Sequence, residues 1–263
     1  MEHLPYDLDF MHKYNLHKWM GFDIDDNDLK FISAIYGVKY RELRKVEDVF
    51  AGNIEKAVSE IAGQVQIRPL QKPYTIAAVG DSISSDRQSW VKILNRLWKG
   101  QRRIIDCAIS GDTTSDLIDR FYGTIMNEDF QWAVLFIGTN DCRELDDGSH
   151  MTQIGFEEYK LKMNYIMDRF QKAGKRVVNV TLPPVDPARL KSEFPENLWT
   201  YDAVRIDKTN DFIRQLSKKS KSLLADLAKA IETHDGDVLE KDGLHLNAEG
   251  QVILCRLLLE LLP

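Results

Sequence analysis

Past Pro73 the chain carries five short runs that are apolar almost throughout: Tyr74 to Val79, Arg103 to Ile109, Trp132 to Ile137, Arg176 to Thr181 and, less regularly, Ser222 to Leu227. A strand with one face in water alternates apolar and polar residues. A run that is apolar at both parities needs cover on both faces, as parallel strands receive from their crossover helices. The stretches between the runs have helical periodicity and predict helices over Trp90 to Leu97, Thr114 to Phe121, Phe156 to Ala173 and Tyr201 to Lys218. A last helix, capped by Asn247, is expected from Ala248 to Leu262. This alternation predicts a three-layer α/β/α sandwich around a five-stranded parallel sheet with right-handed crossovers. Sheets of this kind bind ligands beyond the carboxyl ends of their strands.

The first part of the chain reads differently. Leu29, Ile32, Ile35 and Tyr36 recur at helical spacing behind a cap at Asp26 or Asn27. A second helix is expected from Val46 to Ile61, with Val49, Phe50, Ile54, Val58 and Ile61 on one face. Arg68 to Pro73 holds two prolines and reads as a linker. The division is therefore a small N-terminal helical segment, 1–70, and an α/β domain, 71–263. A cap over a pocket and a dimerisation element, which would make a homodimer, are the two roles expected for the segment. Asp28 to Val46, with Gly37 in its turn, loosely resembles a helix-turn-helix, but the stretch is not distinctly basic.

Composition narrows the partners. With 43% hydrophobic and 29% charged residues the chain is ordinary for a globular protein, and its net charge of -6 argues against nucleic acid or an anionic membrane as a general partner. No run approaches the roughly 18 apolar residues of a membrane span. The start, Met1 to Asp7, shows no signal-peptide pattern, and Cys107, Cys142 and Cys255 form no CxxC pair. A cytoplasmic protein is the expectation. His3, His12 and His17 show no metal-ligand spacing and are read as surface residues; no metal or other cofactor is expected.

Four polar segments fall where ligands would bind. Gly80-Asp81-Ser82 follows the first strand, Ser110-Gly111-Asp112 the second and Gly138-Thr139-Asn140-Asp141 the third; Asp242-Gly243-Leu244-His245 precedes the last helix. A serine hydroxyl needs an adjacent base to act as a nucleophile, and an imidazole needs a carboxylate to hold its tautomer. A glycine lets a backbone N–H approach a ligand, and an asparagine amide can donate to a developing oxyanion. Each segment alone is also an ordinary polar turn or helix cap. Asp81, Asp112 and Asp141 read as acceptors that brace their loops. The connection Pro183 to Tyr201 is long and aromatic, and Trp199 and Arg143 are candidate substrate contacts.

Together and in this order, the four segments resemble the SGNH (GDSL-type) hydrolases, whose blocks carry Ser, Gly, Asn and His. The resemblance covers roughly Tyr74 to Pro263 and implies the flavodoxin-like fold of that family. It implies Ser82 as nucleophile, His245 as general base and Asp242 as its partner. The oxyanion hole would be the N–H groups of Ser82 and Gly111 with the Asn140 side chain. The first block reads Gly-Asp-Ser-Ile rather than Gly-Asp-Ser-Leu; Ala108 and Cys142 stand where Gly and an aliphatic residue are frequent. The implied activity is hydrolysis of a small-molecule ester through an acyl-serine. The family includes enzymes for acetylated sugars, thioesters, lysophospholipids and simple esters. A small acyl group on a soluble alcohol, such as an acetylated carbohydrate, fits a chain without an apolar membrane-binding helix.

Overall fold

The structure, a computed structural model, describes residues 7–20, 24–65, 73–100 and 102–263. In chain order the elements are α1 (Leu8–Lys13), a 3-10 turn (Leu16–Met20), α2 (Leu29–Ile35), α3 (Tyr40–Ala62), β1 (Tyr74–Gly80), α4 (Ser82–Ser85), α5 (Trp90–Trp98), β2 (Arg102–Asp106) and α6 (Thr114–Asp119). There follow a single π turn (Phe121–Ile125), β3 (Trp132–Phe136), a 3-10 turn (Asn140–Cys142), β4 (Arg143–Leu145), α7 (Phe156–Lys172) and β5 (Arg176–Val180). The chain ends with α8 (Pro187–Glu193), β6 (Trp199–Tyr201), α9 (Ala203–Ser220), β7 (Leu223–Ala225), α10 (Leu227–Glu232) and α11 (Ala248–Leu261).

The five expected strands form one parallel sheet in the order β2-β1-β3-β5-β7. Alternate residues of β1 show why the runs had to be apolar at both parities. Ile76 and Ala78 enter a core with Trp90 and Leu94 of α5 and Leu254 and Leu258 of α11. Ala77 and Val79 point the other way, among Leu117 of α6 and Met163, Ile166 and Phe170 of α7. Both faces of β1 are dry, so this central strand is sandwiched between helical layers. Asn247 caps α11 as expected, its Oδ1 accepting from Gly250 N at 3.1 Å.

Several expectations change. Asp28, rather than Asp26 or Asn27, caps α2 through Phe31 N at 3.0 Å. Helix α3 begins at Tyr40, earlier than expected, and Val49 is exposed while Phe50 and Ile61 are buried. The helix after β2 ends at Asp119 and gives way to the π turn. The connection 183–201 is structured: it holds α8 and then β6, which pairs antiparallel with β4. The linker residues 68–72 lie outside the described residues.

His12 and His17 are buried, contrary to the surface reading, and His3 lies outside the described residues. His12 Nε2 meets Glu47 Oε2 at 2.8 Å, and His17 spans the Tyr36 hydroxyl and Asp26 Oδ1, both at 3.0 Å. Arg87, from the loop before α5, donates from Nε to Glu47 at 2.8 Å, from Nη1 to Asn15 Oδ1 at 2.9 Å and from Nη2 to Asp26 O at 2.8 Å. Sequence spacing could not reveal this burial, because the partners come from elements far apart in the chain. The network ties His12, Asn15, Asp26 and Glu47 to the α/β body, where Ala57 and Ile61 of α3 join the core on the α5 side.

Two outcomes follow from this packing. A Cβ at Gly80 would lie 2.3 Å from the Phe136 carbonyl oxygen on β3, so Gly80→Ala should cost about 1–3 kcal/mol by overpacking, read as a lower urea midpoint. Burial pushes the Glu47 carboxyl up, but hydrogen bonds from His12 and Arg87 outweigh it and hold it at about 2. A carboxylate held below its unfolded value contributes stability that is complete above that value and lost as pH falls through the folded one. Docking of the N-terminal elements should therefore loosen as pH falls from about 4.5 to about 2, seen as faster amide exchange in α2 and α3. Glu47→Gln should flatten that dependence.

Candidate active site

The motif residues gather at the carboxyl end of the sheet. Strand β1 delivers Gly80, then Asp81 as the cap of α4 (Oδ1 accepting from Ile83 N at 3.1 Å), then Ser82 as the first residue of α4. A first-turn amide has no partner in the helical ladder, so the Ser82 N–H is available to donate outside the helix. After β2, Ile109 N donates to Gly80 O at 3.2 Å and Asp112 N to Ile109 O at 3.2 Å, closing a tight turn. Gly111 sits in that turn at φ +86°, a conformation that disfavours any side chain.

After β3 the chain enters the 3-10 turn, where Asn140 is buried. Its Nδ2 donates to Asp112 O at 2.9 Å, which leaves the second amide hydrogen unspent; its Oδ1 accepts from the Arg143 guanidinium. Arg143 Nε also donates to the Tyr201 hydroxyl at 3.1 Å, across the small β4–β6 sheet. The amide of Asn140 is thereby fixed end to end. Asp141 accepts from Thr114 N at 3.1 Å, tying this turn to the start of α6 beside Gly111.

The fourth segment makes a turn just ahead of α11. Leu239 and Leu246 form an isolated antiparallel bridge, and Glu240 N donates to His245 O at 2.8 Å. Within that loop Asp242 Oδ1 accepts from Leu244 N at 2.9 Å and His245 N at 3.0 Å. Its Oδ2 meets His245 Nδ1 at 2.6 Å, and His245 Nε2 lies 2.7 Å from Ser82 Oγ. Burial pushes the Asp242 carboxyl up, but the neighbouring imidazole and these hydrogen bonds dominate and hold it at about 2. It is thus an anion at neutral pH, able to fix the imidazole with Nε2 as the acceptor for the serine proton.

Three further carboxylates surround the site. Burial raises Asp81 to about 7, and it raises Asp112 and Asp141 to about 6 against the pull of Arg120 and Thr114 respectively. Asp81 Oδ2 is buried with no hydrogen-bond partner among the described residues. All three brace loops, as their positions suggested. Cys142 is buried, with Sγ 3.4 Å from Thr209 Oγ1, and its thiol is pushed by burial to about 11, so it packs rather than reacts.

Ser82, Gly111, Arg143, Trp199 and His245 line a single cavity of about 910 Å³. Arg143 and Trp199 therefore both face it, though Arg143 is engaged with Asn140 and Tyr201. Phe10, Tyr14, Leu16 and Trp19 also line it, and sequence reasoning missed them. Their one local signal was an aromatic pair one helical turn apart, which a buried helix face explains equally well. Gln251 was missed too. Its side chain accepts from Trp90 N at 2.9 Å and donates to Ile83 O at 3.2 Å, clipping α11 to the residues just after Ser82.

This geometry can be set beside known proteins. The lipase/acylhydrolase from Enterococcus faecalis superposes with a TM-score of 0.59 at 23% identity, over 71% of this chain and 94% of that one. Axe2, an acetylxylan esterase from Geobacillus stearothermophilus, superposes with a TM-score of 0.57 at 18% identity, over 71% and 93% of the two chains. The uncharacterized lipoprotein YqeF of Bacillus subtilis (strain 168) is 22% identical over 191 residues, covering 64% of this chain and 76% of its own. At such identities the structural likeness speaks for the fold. The sequence profile of the GDSL-like Lipase/Acylhydrolase family matches residues 78–253, two thirds of the chain and every motif described above, and the chain belongs to that family.

Proposed function

We propose that this protein hydrolyses a carboxylic ester through an acyl-serine intermediate, with Ser82 as nucleophile, His245 as general base and acid, and Asp242 as its orienting partner. The observation that carries the reading is the unbroken relay Asp242 Oδ2, His245 Nδ1, His245 Nε2, Ser82 Oγ, with steps of 2.6 and 2.7 Å. As Oγ attacks the ester carbonyl, its proton passes to Nε2 and negative charge moves onto the carbonyl oxygen. That oxygen would receive the N–H groups of Ser82 and Gly111 and the unspent amide hydrogen of Asn140. These donors are fixed before the reaction starts, and fixed donors stabilise developing charge without reorganising. Collapse of the tetrahedral intermediate breaks the ester C–O bond, and the Nε2 proton goes to the departing alkoxide. Water, deprotonated by the same nitrogen, then releases the acid and restores Ser82.

For substrate, we infer a small acyl group carried on a larger soluble alcohol, with an acetylated carbohydrate as the leading candidate. An acetyl group occupies little of 910 Å³, so most of the space would serve the alcohol. Trp19, Phe194 and Trp199 offer flat apolar faces for a sugar ring, while Glu193, Glu196 and Asn197 offer acceptors for its hydroxyls. That one structural neighbour is named an acetylxylan esterase is in line with this reading. The leucines in the same lining, Leu16, Leu190, Leu198 and Leu244, favour a second reading, a longer acyl chain on a thioester or lysophospholipid.

Ser82→Ala should abolish release of p-nitrophenol from p-nitrophenyl acetate and block labelling by a fluorophosphonate. A wild-type chain that takes no fluorophosphonate at Ser82 would instead point to an idle hydrolase scaffold that binds a partner. Asn140→Ala should lower kcat by about 10²–10³-fold, the loss expected when one oxyanion donor is removed. Steady-state kinetics on a panel crossing acyl length with alcohol type, acetylated oligosaccharides and acyl-thioesters included, separates the substrate readings. The highest kcat/KM on an acetylated sugar is expected.

A further inference from the structure

The family match begins at residue 78, yet residues 7–20 reach into the cleft. The Tyr14 ring lies against the His245 imidazole with centroids 4.0 Å apart and planes 25° apart, a stacked pair. Phe10 meets the same imidazole edge-on at 6.2 Å and Phe194 edge-on at 5.5 Å. The Ser110 hydroxyl, next to Gly111, donates to Tyr14 O. Trp19 Nε1 donates to Ser110 O at 2.6 Å, and its ring sits 3.8 Å from where a Cβ on Gly111 would be. One short segment thus touches both the base and the turn that holds an oxyanion donor.

The segment is not loosely laid there. Arg87 N donates to Lys13 O at 2.8 Å, Asn15 Nδ2 donates to Ser85 O at 2.5 Å, and Lys18 Nζ donates to Asp106 Oδ2 at 3.1 Å. Lys13 Nζ lies 3.6 Å from Asp86 Oδ2 and pairs with Glu240, two residues before Asp242. Each anchor lands next to a motif: on α4 and its following loop, at the end of β2, or on the loop of the triad carboxylate.

We infer that residues 7–20 complete the active site, and that Tyr14 is a positioning residue for His245. The inference rests on the hydrolase reading above. Its physical basis is a degree of freedom that the triad leaves open. Hydrogen bonds at Nδ1 and Nε2 lie in the plane of the imidazole and resist displacement along that plane, but they oppose swinging of the ring out of it only weakly. A flat ring stacked on one face blocks that out-of-plane swing and keeps Nε2 aimed at Ser82 Oγ. The same face keeps water off one side of the imidazole and meets the imidazolium with its π cloud when the serine proton arrives. Trp19 acts in parallel on the Ser110–Gly111 turn, whose N–H direction depends on where the Ser110 carbonyl points.

The test compares Tyr14→Leu and Tyr14→Phe in the full chain, with Ser82→Ala alongside, using p-nitrophenyl acetate and a fluorophosphonate. Tyr14→Leu keeps apolar bulk without a flat face, and should lower kcat by about 10-fold or more with KM little changed, since a base misaimed by even part of an ångström is costly. Fluorophosphonate labelling should slow in parallel. Tyr14→Phe keeps the stack and should restore most of the turnover. Wild-type kcat and labelling rate in Tyr14→Leu, with Ser82→Ala inactive, would overturn the positioning role and leave the hydrolase reading intact. Full turnover by Ser82→Ala would overturn the hydrolase reading itself. Thermal melting reports whether Tyr14→Leu folds; if it does not, Tyr14→Met carries the same comparison. Trp19→Phe, which loses only the N–H donor and part of the ring, should lower kcat on p-nitrophenyl acetate, and an unchanged kcat there would remove the second brace.

Discussion

The hydrogen bond between His245 Nε2 and Ser82 Oγ joins residues 163 positions apart, and the cleft has its shape because both ends are anchored in the same packed body. Ser82 is held by the sheet. Strand β1 runs between β2 and β3, and the close approach of Gly80 to Phe136 leaves no slack where the strand ends. His245 is held by α11, whose apolar residues enter the same core as α5, and by Gln251, which bonds both to Trp90 N and to Ile83 O. The serine side and the histidine side therefore move as one packed body. A relay with such short steps needs that rigidity, because close-packed interiors transmit rather than absorb small shifts.

Electrostatics around the relay divides the carboxylates into two kinds. Asp242 is buried yet kept anionic, since an imidazole and two backbone amides compensate for lost water. Asp81, Asp112 and Asp141 are buried with less compensation, and their carboxyls are raised. A carboxyl whose folded value lies above its unfolded one costs stability as pH rises between the two. These three carry that cost in the loops that hold Ser82, Gly111 and Asn140. Native proteins store such local cost where geometry is needed for chemistry.

The N-terminal segment shows how polar burial can dock one part of a chain on another. Its apolar core is small, with Met11, Ile24, Leu29, Ile32, Tyr36 and Leu43 as its buried members. Much of the specificity of docking lies with Arg87, which engages Glu47, Asn15 and the Asp26 carbonyl at once. Planar guanidinium groups suit this work because their donors are fixed relative to one another. Glu47 and His12 in turn place α1, so that Phe10 and Tyr14 of this region arrive at His245.

The sequence by itself determined the sheet, the helical layers and the residues of the relay. Runs such as Trp132 to Ile137 are apolar at both parities and are stable only when covered on two sides, and that demand is local and readable. Ser82, Gly111, Asn140 and His245 were legible because each sits in a short polar motif at a strand end or helix start, where a periodic pattern breaks. Tertiary structure alone decided what surrounds them. Nothing local to Tyr14 says that its ring will lie on an imidazole near the other end of the chain, and nothing near His12 says that Glu47 and Arg87 will bury it. The pairing of β4 with β6 likewise depends on a partner beyond α7, β5 and α8, and Arg143 reaches Tyr201 through it. Periodicity encodes which face of an element avoids water; it carries no information about which distant side chain arrives to cover that face.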